Sequence, residues 1–175
     1  MGRIALEWGA VCAALIATPV GVRAQDVAAE AVPFRVRMPY IETAQAVRRV
    51  LGAADGRLAR STCQEVLTDF RDGSTRTLKD ALDANGVSAR DYLRWILFVQ
   101  DRGSRACKVK GTVAVTEPGS RVVFICPRAF LEMAQTDPER AEATVIHEML
   151  HSLGLGENPP SSKEITERVL RRCAP

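Results

Sequence analysis

The chain has 175 residues, 24 of them Lys or Arg and 21 Asp or Glu, for a formal net charge of +3. Apolar residues make up 46% and charged residues 26%, which is globular usage and excludes wholesale disorder, collagen and coiled-coil rods. The dispersed, nearly balanced charge and an aromatic content of 5% exclude a nucleic-acid footprint and a base-stacking platform.

Residues 1–24 read as a secretory signal peptide. Arg3 opens the segment, an apolar stretch follows from Trp8 to Val22, and Val22-Arg23-Ala24 closes it in the small-x-Ala pattern that signal peptidase cuts. The stretch has about 15 residues, short of the roughly 20 that a stable membrane span needs. No later segment is apolar enough to cross a membrane. The expectation is a secreted or periplasmic protein without a stable membrane anchor, its residues 25–175 forming a single domain. Cysteine usage agrees. Cys12 leaves with the signal, and Cys63, Cys107, Cys126 and Cys173 remain. An even number in an exported chain predicts two disulfides.

Pro33 to Met38 alternates apolar and basic residues and predicts a short strand. Ile41 to Leu51 has helical periodicity, with Gly52 as its stop. Ser61 and Gln64 match a capping box, opening a helix with Cys63, Val66, Leu67 and Phe70 on one face. Asp72-Gly73 breaks it. A short helix is expected from Thr77 to Ala84, and Ser88 caps another through Tyr92. The run Trp95 to Val99 predicts a buried strand. Lys108 to Thr116 and Arg121 to Ile125 flank Glu117-Pro118-Gly119-Ser120, which has the Pro-Gly signature of a type II turn. The three runs together predict an antiparallel meander. Cys107 and Cys126 bracket its hairpin, so the expected pairs are Cys107–Cys126 and Cys63–Cys173.

Beyond Pro127 the chain turns helical, first over Arg128 to Gln135. Asp137 with Pro138 at the first helical position opens a helix to Leu153, where Gly154 breaks it. Asn158-Pro159-Pro160 makes a rigid loop. Ser161 and Glu164 form a capping box for a last helix to about Arg172. The expected class is α+β: a small antiparallel sheet of three to four strands with helices on both sides, and the chemistry-bearing helix near the C-terminus.

That helix holds both histidines of the chain, in the run Val145-Ile146-His147-Glu148-Met149-Leu150-His151. At 3.6 residues per turn His147 and His151 share a face, and two neutral imidazoles there can enter one tetrahedral zinc site. Glu148, next round the helix, is poorly placed as a ligand but can reach a zinc-bound water and serve as general base. This HExxH pattern resembles that of the zincin metallopeptidases. Gly154 and Glu157 fall where the metzincin pattern HExxHxxGxxH places its helix-breaking glycine and third ligand. The chain departs from that pattern in having Glu157 for the third histidine and no methionine after Met149. The stretch Gly156 to Thr166 is similar to part of an uncharacterised bacterial zincin-like group.

The resemblance implies an exported metallopeptidase with one Zn2+ per chain, held by His147, His151 and Glu157, and acting on a peptide or protein substrate. Glu164 competes as third ligand, because gluzincins take a glutamate from a downstream helix, but the capping box already employs it. An extended substrate is expected along an edge strand such as Val122 to Phe124. Tyr40 and Tyr92 are the only tyrosines for transition-state stabilisation. The alternative is a zinc-stabilised, non-catalytic secreted binding domain, in which Glu148 has no task. A metal-free domain held by disulfides is a third reading, and it leaves the histidine pair unexplained.

Overall fold

The computed structural model describes residues 32–174. The expected signal peptide, residues 1–24, lies outside them. In chain order the elements are β1 (Arg35–Arg37), α1 (Ile41–Leu58), α2 (Ser61–Gln64), α3 (Val66–Asp69), α4 (Leu78–Asp83), α5 (Ala89–Trp95), β2 (Leu97–Gln100), a 3-10 turn (Ala106–Lys108), β3 (Ala114–Val115), β4 (Val122–Ile125), α6 (Pro127–Thr136), α7 (Pro138–Ser152) and α8 (Ser162–Arg172). The class is α+β, with one small four-stranded sheet.

The sheet is mixed, where an antiparallel one was expected. Its order is β1-β2-β4-β3, with β1, β2 and β4 parallel and only β3 running antiparallel to β4. The β3–β4 hairpin follows from its turn, and Gly119 takes the required positive φ of 81°. The other pairings are set by long connections. Five helices separate β1 from β2, and a loop containing β3 separates β2 from β4, so both joins are crossovers that return the chain in the same direction. Apolar patterning reports that a strand is buried and is silent on its direction.

Helices cover one face of this sheet, where both were expected. Phe98, Val123 and Ile125 are fully buried in the single core shared with the helices, whereas Leu97, Val99, Val122 and Phe124 point to the opposite face and lie outside that core. Helix α1 runs seven residues past Leu51, through Gly52. Its apolar stripe continues through Ala54 to Leu58 and packs against α7. That burial outweighs the roughly 1 kcal/mol cost of an interior glycine. The box at Ser61 does not form. Ser61 is already helical, and Gln64 donates instead to the Leu58 carbonyl at 2.9 Å.

The remaining caps form as read. Asp137 accepts from the Arg140 amide at 3.0 Å with Pro138 at the first helical position, and Ser161 and Glu164 exchange both bonds of a capping box. Both expected disulfides are present: Cys63–Cys173 joins α2 to the end of α8, and Cys107–Cys126 joins the 3-10 turn to the residue that opens α6. Two disulfides are the mark of a chain that folds in an oxidising, extracellular environment. Among the described residues no helix is long and apolar enough to cross a membrane.

Candidate metal centre

Helix α7 is buried along its whole last half, from Val145 to Ser152, because α1, α6 and α8 pack around it. His147, Glu148 and His151 are therefore only 4–5% exposed. The helix must stop at once beyond Ser152, and Gly154 makes it do so. Its φ is 106°, which strains any side chain, and a Cβ placed there would stand 3.2 Å from the Asp72 Cβ, which would have to give by a few tenths of an ångström. The carbonyl of His151 is fixed twice, by the Gly154 amide at 2.8 Å and by the Gly119 amide of the β3–β4 turn at 2.9 Å. Hairpin and helix are thus joined at the site.

The reversed chain brings Glu157 back to the two histidines. The His147 and His151 Nε2 atoms stand 2.8 Å apart, and Glu157 Oε1 lies 3.6 Å and 3.3 Å from them. These three side chains form a cluster that could hold a metal ion. Glu164 stays in its cap and does not join them.

Hydrogen bonds on the far side of each ring orient the pair. His151 Nδ1 meets the Leu155 carbonyl at 2.7 Å. A carbonyl only accepts, so the hydrogen sits on Nδ1 and Nε2 offers a lone pair. His147 Nδ1 meets the Thr166 hydroxyl at 2.9 Å. A hydroxyl both donates and accepts, so Thr166 suits either tautomer of His147. With the hydrogen on His147 Nε2, the two rings share it. With the hydrogen on Nδ1, two lone pairs face each other, an arrangement that a cation between them relieves. Burial, with His151 alongside, pushes the His147 pKa down to about 3, which leaves it neutral, the form that binds metal.

Glu148 points beside the cluster. Its Oε2 is buried with no hydrogen-bond partner. Burial pushes its carboxyl up to about 7. The neighbouring Thr116 hydroxyl pulls the other way, and the Glu157 charge adds to the rise.

These groups open into a cleft of about 880 Å3 between α7 and α8 on one side and β3 with its preceding loop on the other. The strand at the cleft is β3, the sheet's edge. The expected edge, Val122 to Phe124, is internal, paired to β2 on one side and β3 on the other. Neither tyrosine lines the cleft: Tyr92 donates to the Ser152 carbonyl at 2.9 Å, and Tyr40 is 65% exposed beside another groove. The cations there are Lys110, Arg140 and Lys163.

Comparison with known proteins gave no match: no family model, no curated protein and no solved structure. The residues alone carry the reading. Sequence spacing named the three members of the cluster and Glu148. It missed Thr166 and the Leu155 carbonyl, which orient the imidazoles, and Thr116. No local pattern marks a hydroxyl that reaches a histidine 19 residues earlier from another helix.

Proposed function

We propose that the chain is an exported zinc-dependent metallopeptidase, with His147, His151 and Glu157 as zinc ligands and Glu148 as general base. The observation that carries this reading is the orphaned, buried Glu148 Oε2 beside a three-ligand cluster that opens into a cleft. Ligand atoms around a tetrahedral zinc stand about 3.3 Å apart, and the three separations here span 2.8–3.6 Å. Three protein ligands leave the fourth position free, as catalytic sites do and structural sites do not. Two imidazoles and one carboxylate suit zinc over the oxygen-preferring calcium and magnesium.

Zinc, when bound, polarises a carbonyl oxygen and makes water acidic enough to lose a proton near neutral pH. The residues of the chain do the rest. Glu148 accepts the proton of the attacking water at a carboxylate oxygen. It then delivers that proton to the departing nitrogen as the C–N bond breaks. The β3 edge offers backbone groups to an extended peptide in the cleft. The disulfides and the signal-like residues 1–24 support export to the periplasm or beyond. A non-catalytic zinc-stabilised domain gains no support from the site, because two disulfides already staple the fold and Glu148 would be an uncompensated burial.

The test joins metal analysis to hydrolysis. The expected result is one zinc per chain and peptide hydrolysis abolished by chelators. Glu148→Gln keeps the zinc and loses about 10²–10⁴ in turnover. Glu157→Ala lowers zinc affinity, while Glu164→Ala costs only its cap, about 0.5–2 kcal/mol of stability. Wild-type hydrolysis in Glu148→Gln would overturn the mechanism, and unchanged zinc affinity in Glu157→Ala would overturn the ligand set.

A further inference from the structure

A second groove, of about 910 Å3, lies on the sheet face that no described helix covers, at the carboxyl ends of β1 and β2. Residues paired across neighbouring strands share a face. The register therefore gives two rows on this side: Arg35, Leu97 and Val122 in one, and Arg37, Val99, Phe124 and Val115 in the other. Each row starts with an arginine on the edge strand β1 and continues in apolar side chains. Phe124 is 44% exposed, and Tyr40 and Ile41 beside the groove are 65% and 70% exposed.

Charge is divided unevenly between the layers. The sheet segments, residues 33–38 and 95–125, hold seven basic residues and only Asp101 and Glu117 as acids. The rest of the described chain holds fifteen basic and sixteen acidic residues. Every ion pair among the described residues lies in the helical part, and none of the seven sheet-side cations has one; of these Lys110 faces the metal cleft, while Arg37 and Arg102 line the second groove. Asp101 is occupied by the Gly103 and Ser104 amides. Arg121 lies over the Trp95 ring and Arg35 bonds the Trp95 carbonyl, so these two are held in place without being neutralised.

Arg, Tyr, Phe and Met are the residue types enriched at protein interfaces, and Arg37, Met38, Tyr40, Arg102 and Phe124 line this groove.

We propose that this face docks a protein partner through an acidic, extended segment with apolar side chains between its carboxylates. The carboxylates pair with Arg35, Arg37 and Arg102, whose planar guanidinium groups favour two-point contact with a carboxylate. The apolar side chains cover Val99 and Phe124. A lipid bilayer fits less well, because it presents a plane and the apolar row lines a concave groove. The groove shares no lining residue with the metal cleft, although Val115, at the end of its row, lines that cleft, and the docking does not depend on the cluster's chemistry.

The probe is a fluorescein-labelled octapeptide of alternating Glu and Leu, with the Lys–Leu octapeptide as control. Both are followed by anisotropy with the purified protein in chelator, so that nothing is hydrolysed. The Glu–Leu peptide binds and the Lys–Leu peptide does not. Arg35→Glu with Arg37→Glu weakens binding at least about tenfold, Phe124→Ser weakens it several-fold, and raising the salt weakens it further. Arg102→Glu, in a separate loop, repeats the charge test should the double variant fold poorly. Unchanged affinity in both charge-reversed proteins overturns the proposal. So does loss of binding in Glu157→Ala, which would place the peptide in the metal cleft. Binding to phosphatidylglycerol vesicles without peptide binding assigns the face to membranes and also overturns it.

Discussion

The helical layer and the sheet layer are held by different forces, though each has one disulfide. The helices are cross-linked by charge over long stretches of chain. Arg57 bonds Glu142 and the Cys173 carbonyl, Arg172 bonds Asp69 and Glu65, and Arg94 bonds Asp55. The sheet has strands of two to four residues and no ion pair, and it is kept by packing on one face and by Cys107–Cys126. The candidate metal cluster stands on the charged, cross-linked layer. The sheet contributes an edge and a turn amide to it. A cluster that needs three atoms within a few ångströms of one another sits on the layer with the long-range ion pairs, and the cations of the sheet layer stay unpaired.

Removing each disulfide separates the layers most strongly. Chain entropy rises with loop length, and the two loops span 110 and 19 residues. Replacing Cys63 and Cys173 by Ser is expected to cost about 4.8 kcal/mol, against about 3.2 kcal/mol for Cys107 and Cys126. Denaturant unfolding of the two double variants measures the difference, and equal losses would break the contrast. The loop pair has a second signature. Cys107 belongs to the loop that forms one wall of the cleft, so its removal is expected to raise the KM of the proposed peptide hydrolysis more than the larger loss at Cys63–Cys173 does.

Gly154→Ala strikes the joint between the layers. It forces a side chain into a positive φ and against Asp72, a strain of about 1–3 kcal/mol. Its unfolding midpoint falls, and its metal affinity falls with it because Leu155 and Glu157 follow the same turn. A variant with lowered stability and intact metal affinity would show that the turn serves the fold alone. Thr166→Val keeps the shape and removes the hydroxyl from His147. Metal affinity is expected to drop about 10–100-fold, with the unfolding midpoint less affected, as a chelator competition would record.

Acid gives the smallest effect and the clearest sign. Burial pushes the Asp55 carboxyl up, but hydrogen bonds and charge from Arg90 and Arg94 outweigh it and hold it below its ordinary value of 3.8. Arg172 and Arg168 hold Asp69 down likewise. A carboxyl lowered in the folded state stabilises fully above its unfolded value, and that contribution is lost as the pH falls below about 3.8 through the folded value. Both groups belong to the helices. Asp55→Asn is expected to flatten the acid limb of the stability curve, and a limb unchanged by it would assign acid sensitivity elsewhere.

What could be read from the sequence divides along the same line. Helices α7 and α8 were readable because their determinants are neighbours: Asp137 before Pro138, Ser161 three residues from Glu164, and histidines one turn apart. Both disulfide pairs followed from one bracketed hairpin. The sheet was misread because parallel pairing depends on where a chain of many residues returns, and no short pattern records that. Glu148 stood out by its place between the histidines. Thr166 did not, since a single threonine on an amphipathic helix looks like any other until α8 is docked.

The versatility of the Thr166 hydroxyl bears on the order in which this protein is assembled. Because it can give or take a hydrogen, the two imidazoles would have a settled arrangement with the proposed ion between them and another without one. The core around α7 closes in either case, and the disulfides need no metal. Folding is therefore expected to need no ion, and loading of the proposed metal to be a late, reversible event. A chelator should yield an idle but folded protein, ready for refilling without passing through the unfolded chain.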